Sequence, residues 1–263
     1  MTSYPTSIGT SDETSIHVLG HDLAEDLLGK VGFAELAFWL VALRRPTAGE
    51  LRVFEAVLVA LADHGFTPSV IAARLTLTGA PESVQGALAA GLLGGGSRFL
   101  GATEDTGRFL ARALATHGPD LPTDNRGWDN LAREALSTER AASRHVPGLG
   151  HPVHKNGDPR TPVLMRIADE AGVLGPHLLL VDAVGRVHPE VLGRTLPVNG
   201  AGICGAALCD LGFPVDILRG FALLARAAGL LGHLAEEMRQ PVGLDIYAET
   251  ERLTDYRPPT GPA

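Results

Sequence analysis

The sequence predicts an all-α protein, and three observations predict it. Apolar residues recur every three or four positions through most of the chain, which is the spacing of one buried helical face. Ala and Leu, both strong helix formers, dominate those segments. No long strands alternate with the helices, so a Rossmann sheet or a barrel is disfavoured.

Taken in order, residues 1–15 read as a polar tail and "SIHVLG" as a short alternating strand. In "ELRVFEAVLVALADHG", Leu51, Phe54, Leu58 and Leu61 make one stripe, and Gly65 is placed to end the helix. Similar stripes run through 82–93, 163–173, 177–188 and 200–211. "GLLGGGSRFLG" at 91–101 is a glycine-rich joint; it lacks the GxGxxG and Walker A spacings, so no nucleotide loop is read there. Asp216 is the expected N-cap of the apolar helix "ILRGFALLARAAGLLGHLAEEMR", with Gly220, Gly229 and Gly232 allowing close helix contacts.

The chain has 263 residues, 45% of them hydrophobic, a net charge of -8 and a mean hydropathy of +0.12. These values fit a globular protein with scattered rather than clustered basic residues, which argues against nucleic acid as a partner. Cys204 and Cys209 lack CxxC spacing, so neither a disulfide framework nor a zinc site is expected. The N-terminus lacks a signal-peptide pattern, and the run Phe221 to Leu231 is too short to span a bilayer. A cytoplasmic protein without membrane contact is expected.

The densest chemistry lies in "GLGHPVHKNGDPR", Gly148 to Arg160. Gly148 and Gly150 let the backbone turn tightly before His151, and Pro152 fixes φ after it. The imidazole is therefore presented from a rigid loop. His151 and His154 form an HxxH pair beside Asp158, but Pro152 opposes a helical metal pair and no metal is expected. His233, on an apolar helix, reads as a satisfied core or interface histidine.

The run Gly148-Leu149-Gly150-His151, then Lys155, then Asp158-Pro159-Arg160, resembles the histidine loop of the citrate synthase superfamily. "LADHGFTPS" with His64 resembles the family's Asp-His element. "AAGLLGGGSRFLGATED" is similar to the segment joining its two domains in the short citryl-CoA lyases and the lyase module of ATP-citrate lyase. "LPVNGAGICGAALCDLG" resembles its Asn-Val-Asp-Gly element. The likeness covers roughly residues 16–250 and is most specific at 148–160.

That resemblance implies a citrate synthase-like fold: a large helical domain of 16–97 and 211–263, a smaller helical domain of 98–210, and a cleft between them. It implies a homodimer and coenzyme A as part of substrate or product. Breaking or making a bond at a thioester α-carbon passes through an enolate, which needs an acid/base and donors at the enolate oxygen. His151 and His64 are the implied catalytic histidines, although His64 reads equally as a residue that ends a helix, where a cation is favourable against the dipole. Arg160 would hold a substrate carboxylate, Arg98 is a second ligand candidate or a salt bridge, and Lys155 with Gly148 and Gly150 would meet coenzyme A.

The departures are equally specific. Asn199 stands where the family has its catalytic aspartate; an amide cannot accept a proton, although its NH2 can donate to an enolate. It also reads as a turn residue before Gly200. The family's Gly-Pro-Leu-His segment reads "LLGGGSRFL" here, a histidine the lyase branch also lacks, whereas Asp245, Ile246 and Tyr247 stand where a late arginine is expected. These changes imply an altered acid substrate. They also keep open an acyl-CoA-binding or regulatory protein that does not turn over.

Overall fold

A computed structural model describes residues 3–259. Met1 and Thr2 of the expected tail, and residues 260–263 of the expected large domain, lie outside them. The chain is mostly helical, as its periodicity predicts: α1 (Phe33–Ala42), α2 (Ala48–Ala62), α3 (Pro68–Gly79), α4 (Val84–Leu93), α5 (Ala102–His117) and α6 (Asn125–Ala141) lead to the histidine loop. Helices α7 (Arg160–Glu170), α8 (Pro176–Leu192), α9 (Gly200–Asp210), α10 (Leu218–Arg239) and α11 (Gly243–Leu253) follow it. An antiparallel sheet of β1 (Gly9–Ser11), β2 (Ile16–Val18) and β3 (His21–Asp22) precedes the helices. Part of the polar tail is therefore an edge strand, with Gly9 opposite Val18.

Two compact units emerge, one of residues up to Ala60 with Ala102–Gly220, the other of Leu61–Gly101 with residues from Phe221 onward. In the first, Phe38, Phe54 and Phe213 pack ring on ring, with Phe38 4.7 Å from Phe213 and 5.5 Å from Phe54. Burying such rings contributes about 1.5–3 kcal/mol each, more than the exposed ion pairs around them. The α2 stripe is broader than expected: Val53, Phe54 and Val57 are fully buried, while Leu51 and Leu58 are half-buried. Helix α9 is buried on nearly every side, and a Cβ at Gly205 would overlap the Thr103 carbonyl of α5. Its glycines let the two helices touch.

In the second unit, Val70, Ala73, Leu77, Ala87, Leu230 and Leu234 form the core. Gly229 does abut the end of α2 at Ala62, whereas a Cβ at Gly232 would meet nothing and one at Gly220 only its own turn at Ile217. Close helix contact thus needs only the middle glycine of the three. Asp216 is not the N-cap of α10. Pro214 opens a 3-10 turn over Val215–Ile217 first, and Asp216 instead pairs with Arg108 at 2.6 Å. Proline's fixed φ starts the turn before aspartate can cap it. Among the described residues no helix is long and apolar enough to cross a membrane.

Candidate functional site

The histidine loop is built from two positive-φ glycines, Gly148 at +81° and Gly150 at +83°. Side-chain-bearing residues adopt that region only under strain, and a Cβ on Gly148 would also lie 2.8 Å from the Thr106 hydroxyl. Between them Leu149 is buried and pairs with Val198 in an isolated antiparallel bridge. Gly150 N–H donates to the Pro197 carbonyl at 2.7 Å, and Asn199 N–H donates to the Gly148 carbonyl at 2.9 Å. The loop is thereby stitched to segment 195–199 before His151 emerges.

His151 Nδ1 accepts the backbone N–H groups of Val153 at 3.1 Å and His154 at 3.0 Å. A backbone N–H can only donate, so Nδ1 carries no proton and the neutral ring holds its hydrogen on Nε2. His151 is therefore set as a hydrogen-bond donor at Nε2. The His154 ring lies against it, centroids 4.4 Å apart and tilted 31°.

Asp158 and Arg160 lock the far end of the loop. Arg160 Nε donates to Asp158 Oδ1 at 2.9 Å and its NH2 to Oδ2 at 2.7 Å. The backbone N–H of Arg160 reaches Oδ1 at 3.1 Å and that of Gly200 reaches Oδ2 at 2.7 Å. Burial pushes the Asp158 carboxyl up, but the Arg160 guanidinium and the two backbone donors outweigh it and hold it well below the ordinary carboxylate range. With four hydrogen bonds accepted, Asp158 has no lone pair to spare for a metal beside the HxxH pair. Arg160 also donates through NH1 to Ala60 O at 3.0 Å. Its fork, expected to face a substrate carboxylate, faces Asp158. Two of its five N–H groups are left for a ligand.

Asn199 caps α9. Its side-chain oxygen accepts from Gly202 N–H at 2.8 Å, and its NH2 donates to the Gly150 carbonyl at 2.8 Å. The turn-residue reading of Asn199 describes what the amide does here: both ends of it are spent joining α9 to the loop. Lys155 is exposed and, with Asn156, Thr161, His188, Leu196 and Pro197, lines a cavity of 630 Å³.

The second unit holds the other expected residues. His64 is half-buried in the turn between α2 and α3, where Asp63 Oδ2 accepts Gly65 N–H at 2.8 Å. Arg98 is exposed in the turn after α4 and makes no ion pair among the described residues. His233 is satisfied, as its apolar setting suggests: Arg74 donates to its Nδ1 at 3.0 Å, so its Nε2–H must be the group that meets Asp63 Oδ1 at 2.9 Å. In the first unit, Cys204 of α9 is fully buried and its thiol is pushed up to about 12 by burial, which removes it as a nucleophile.

Sequence reasoning missed His188. It is 3% exposed on α8, its Nδ1 lies 3.0 Å from the Gly185 carbonyl, and its Nε2 accepts Leu196 N–H at 2.8 Å. Nothing in "VGRVHPEVL" marks it, because the irregular segment that carries its partner Leu196 has no sequence signature of its own.

A helical fold with a two-glycine histidine loop closed by Asp-Pro-Arg defines a class, and the family comparison agrees. Residues 21–244 match the model of the citrate synthase C-terminal domain, and the chain belongs to the citrate synthase family. Its fold is similar to citryl-CoA lyase from Hydrogenobacter thermophilus, with a TM-score of 0.85 and 28% identity over 99% of this chain and 96% of that one. It is also similar to ATP citrate lyase from Methanothrix soehngenii, whose structure is in complex with citrate and coenzyme A, with a TM-score of 0.79 and 24% identity over 99% of this chain and 42% of that one. That second likeness bears on the fold. Among curated proteins, 2-methylcitrate synthase 1 of Corynebacterium glutamicum is 27% identical over 197 residues, 73% of this chain and 47% of the relative. The chain spans less than half the length of that relative.

Proposed function

We propose that this protein makes or breaks a carbon–carbon bond in a coenzyme A thioester of a carboxylic acid, through a thioester enolate, with an acid substrate altered from citrate. The observation that carries this reading is His151, a neutral Nε2–H donor fixed by two backbone N–H groups on a loop next to the Lys155 cavity. A donor held in one tautomer stabilises negative charge developing on an oxygen without rearranging at the moment of reaction. The family relatives act on or bind the same compound class by name, citryl-CoA lyase among them.

In the cleavage direction the substrate hydroxyl gives its proton to a water molecule and becomes a carbonyl. The bond to the thioester α-carbon breaks, its electron pair passes to the enolate, and the α-carbon takes up one proton from water. His151 would donate to the substrate oxygen and His64 would share that end. Lys155 would meet a coenzyme A phosphate at the cavity rim as a point charge. The two N–H groups left on Arg160 would take a carboxylate, with Arg98 a second candidate. Gly148 and Gly150 set the loop against the cofactor. No metal is part of this reading, and it keeps the expected cytoplasmic homodimer, which sedimentation velocity would test.

A second reading has a specific observation behind it. Asn199 cannot accept the α-proton, and its amide is already engaged at Gly150 and Gly202, which favours a protein that binds acyl-CoA without turning it over. Incubation with citryl-CoA and related 3-hydroxy-3-carboxyacyl thioesters separates the two: a shorter acyl-CoA and a 2-oxo acid in equal amounts support the enzyme, and binding without products supports the alternative.

A further inference from the structure

We propose that His188 is a positioning residue that braces the histidine loop and the wall of the Lys155 cavity by holding Leu196. The ring is buried, and each nitrogen has a partner. Leu196 N–H can only donate, so Nε2 is unprotonated and Nδ1 carries the hydrogen. That hydrogen points at the carbonyls of Gly185, at 3.0 Å, and Val184, at 3.1 Å, one turn back on α8. His188 thus ties the backbone of a rigid helix to the backbone of a segment without regular structure.

The tie lies one residue from the loop. Pro197, next to Leu196, accepts Gly150 N–H at 2.7 Å, and Val198 pairs with Leu149. The Val198 carbonyl accepts the Thr161 hydroxyl at 2.9 Å at the start of α7. Segment 195–198 therefore hangs between α8, α7 and the loop, and His188 itself lines the cavity together with Leu196 and Pro197. A residue with a donor on one edge and an acceptor on the other is needed to make this join. An apolar side chain would leave the half-buried Leu196 N–H without its partner.

The cavity part of the claim rests on the coenzyme A reading above; the brace does not. The test compares wild type with His188→Leu and His188→Gln, using His177→Leu as a control. His177 sits at the other end of α8, where its Nδ1 meets Asp210 at 2.7 Å, away from the cavity. Hydrogen exchange at Leu196 and Gly150 reads the brace, and calorimetry with coenzyme A reads the cavity.

In His188→Leu both amides should exchange about tenfold faster and coenzyme A should bind about tenfold more weakly, the scale of one lost hydrogen bond. His188→Gln, which keeps a donor and an acceptor, should recover part of both. His177→Leu should lower thermal stability and change neither. Wild-type protection of both amides in His188→Leu, or the same changes in His177→Leu, would overturn the brace. A wild type that binds no coenzyme A sinks the cofactor reading alone, with exchange still deciding the brace. Should the leucine variant not fold, nitrogen NMR of the wild-type ring decides: an Nδ1–H tautomer is expected, and an Nε2–H tautomer contradicts the proposal.

Discussion

Asn199 donates its side-chain NH2 to the Gly150 carbonyl at 2.8 Å while its oxygen caps α9 at Gly202. An aspartate there could keep the cap but would turn its second oxygen on the Gly150 carbonyl. Asn199→Asp is therefore expected to lower stability by about 1–3 kcal/mol, the scale of a buried polar group left unsatisfied, and to lower activity. Denaturant titration and turnover on any substrate the wild type accepts check this. Faster turnover in the aspartate variant would show that position 199 wants a base and that the amide clamp is dispensable.

Arg160→Lys tests the lock at the other end of the loop. The Asp158 side chain is fully buried and bidentate to Arg160, and a lysine cannot reproduce two parallel bonds. Breaking one partner of a buried pair costs about 3–5 kcal/mol, so the unfolding midpoint should fall clearly. A variant as stable as wild type would mean that Gly200 and the backbone carry Asp158 without the guanidinium.

His151→Ala should behave in the opposite way, with turnover lost and stability changed by less than about 1 kcal/mol. Its ring is half-buried, and of the two N–H groups it accepts, that of Val153 is exposed and that of His154 only part-buried. Paired measurement of kcat and melting temperature checks this. An unchanged kcat removes His151 from the chemistry.

Acid should weaken the fold in a defined window. Hydrogen bonding from Arg44 lowers the Glu50 carboxyl from 4.5 to about 2 against the opposing effect of burial. A depressed folded-state value stabilises above the unfolded value and is lost as pH falls through the folded one. Glu50's share of stability should thus disappear between about pH 4.5 and 2. Glu50→Gln should flatten that part of the stability profile, and an unaltered slope would assign the acid response to other carboxylates such as Asp158 and Glu237.

Much of this molecule is legible in its residues because the relevant signals are local. The α2 stripe, the glycines at 148 and 150 and the span from His151 to Arg160 each act within a few residues, and periodicity or spacing exposes them. What is hidden depends on how the chain folds back on itself. The fork of Arg160 turns to Asp158 because Gly200, forty residues on, completes that carboxylate's bonds. His188 gains meaning only once Leu196 folds back on α8. The β1 strand escapes notice because three exposed residues carry no burial pattern, and Asp216 misleads because Pro214 starts the turn first.

The most direct measurement is product analysis by mass spectrometry after purified protein meets citryl-CoA and a panel of related 3-hydroxy-3-carboxyacyl thioesters. At least one member should yield a shorter acyl-CoA and a 2-oxo acid in equal amounts, and His151→Ala should abolish both. Binding of these thioesters with no carbon–carbon cleavage, or release of free coenzyme A by hydrolysis alone, would contradict the account.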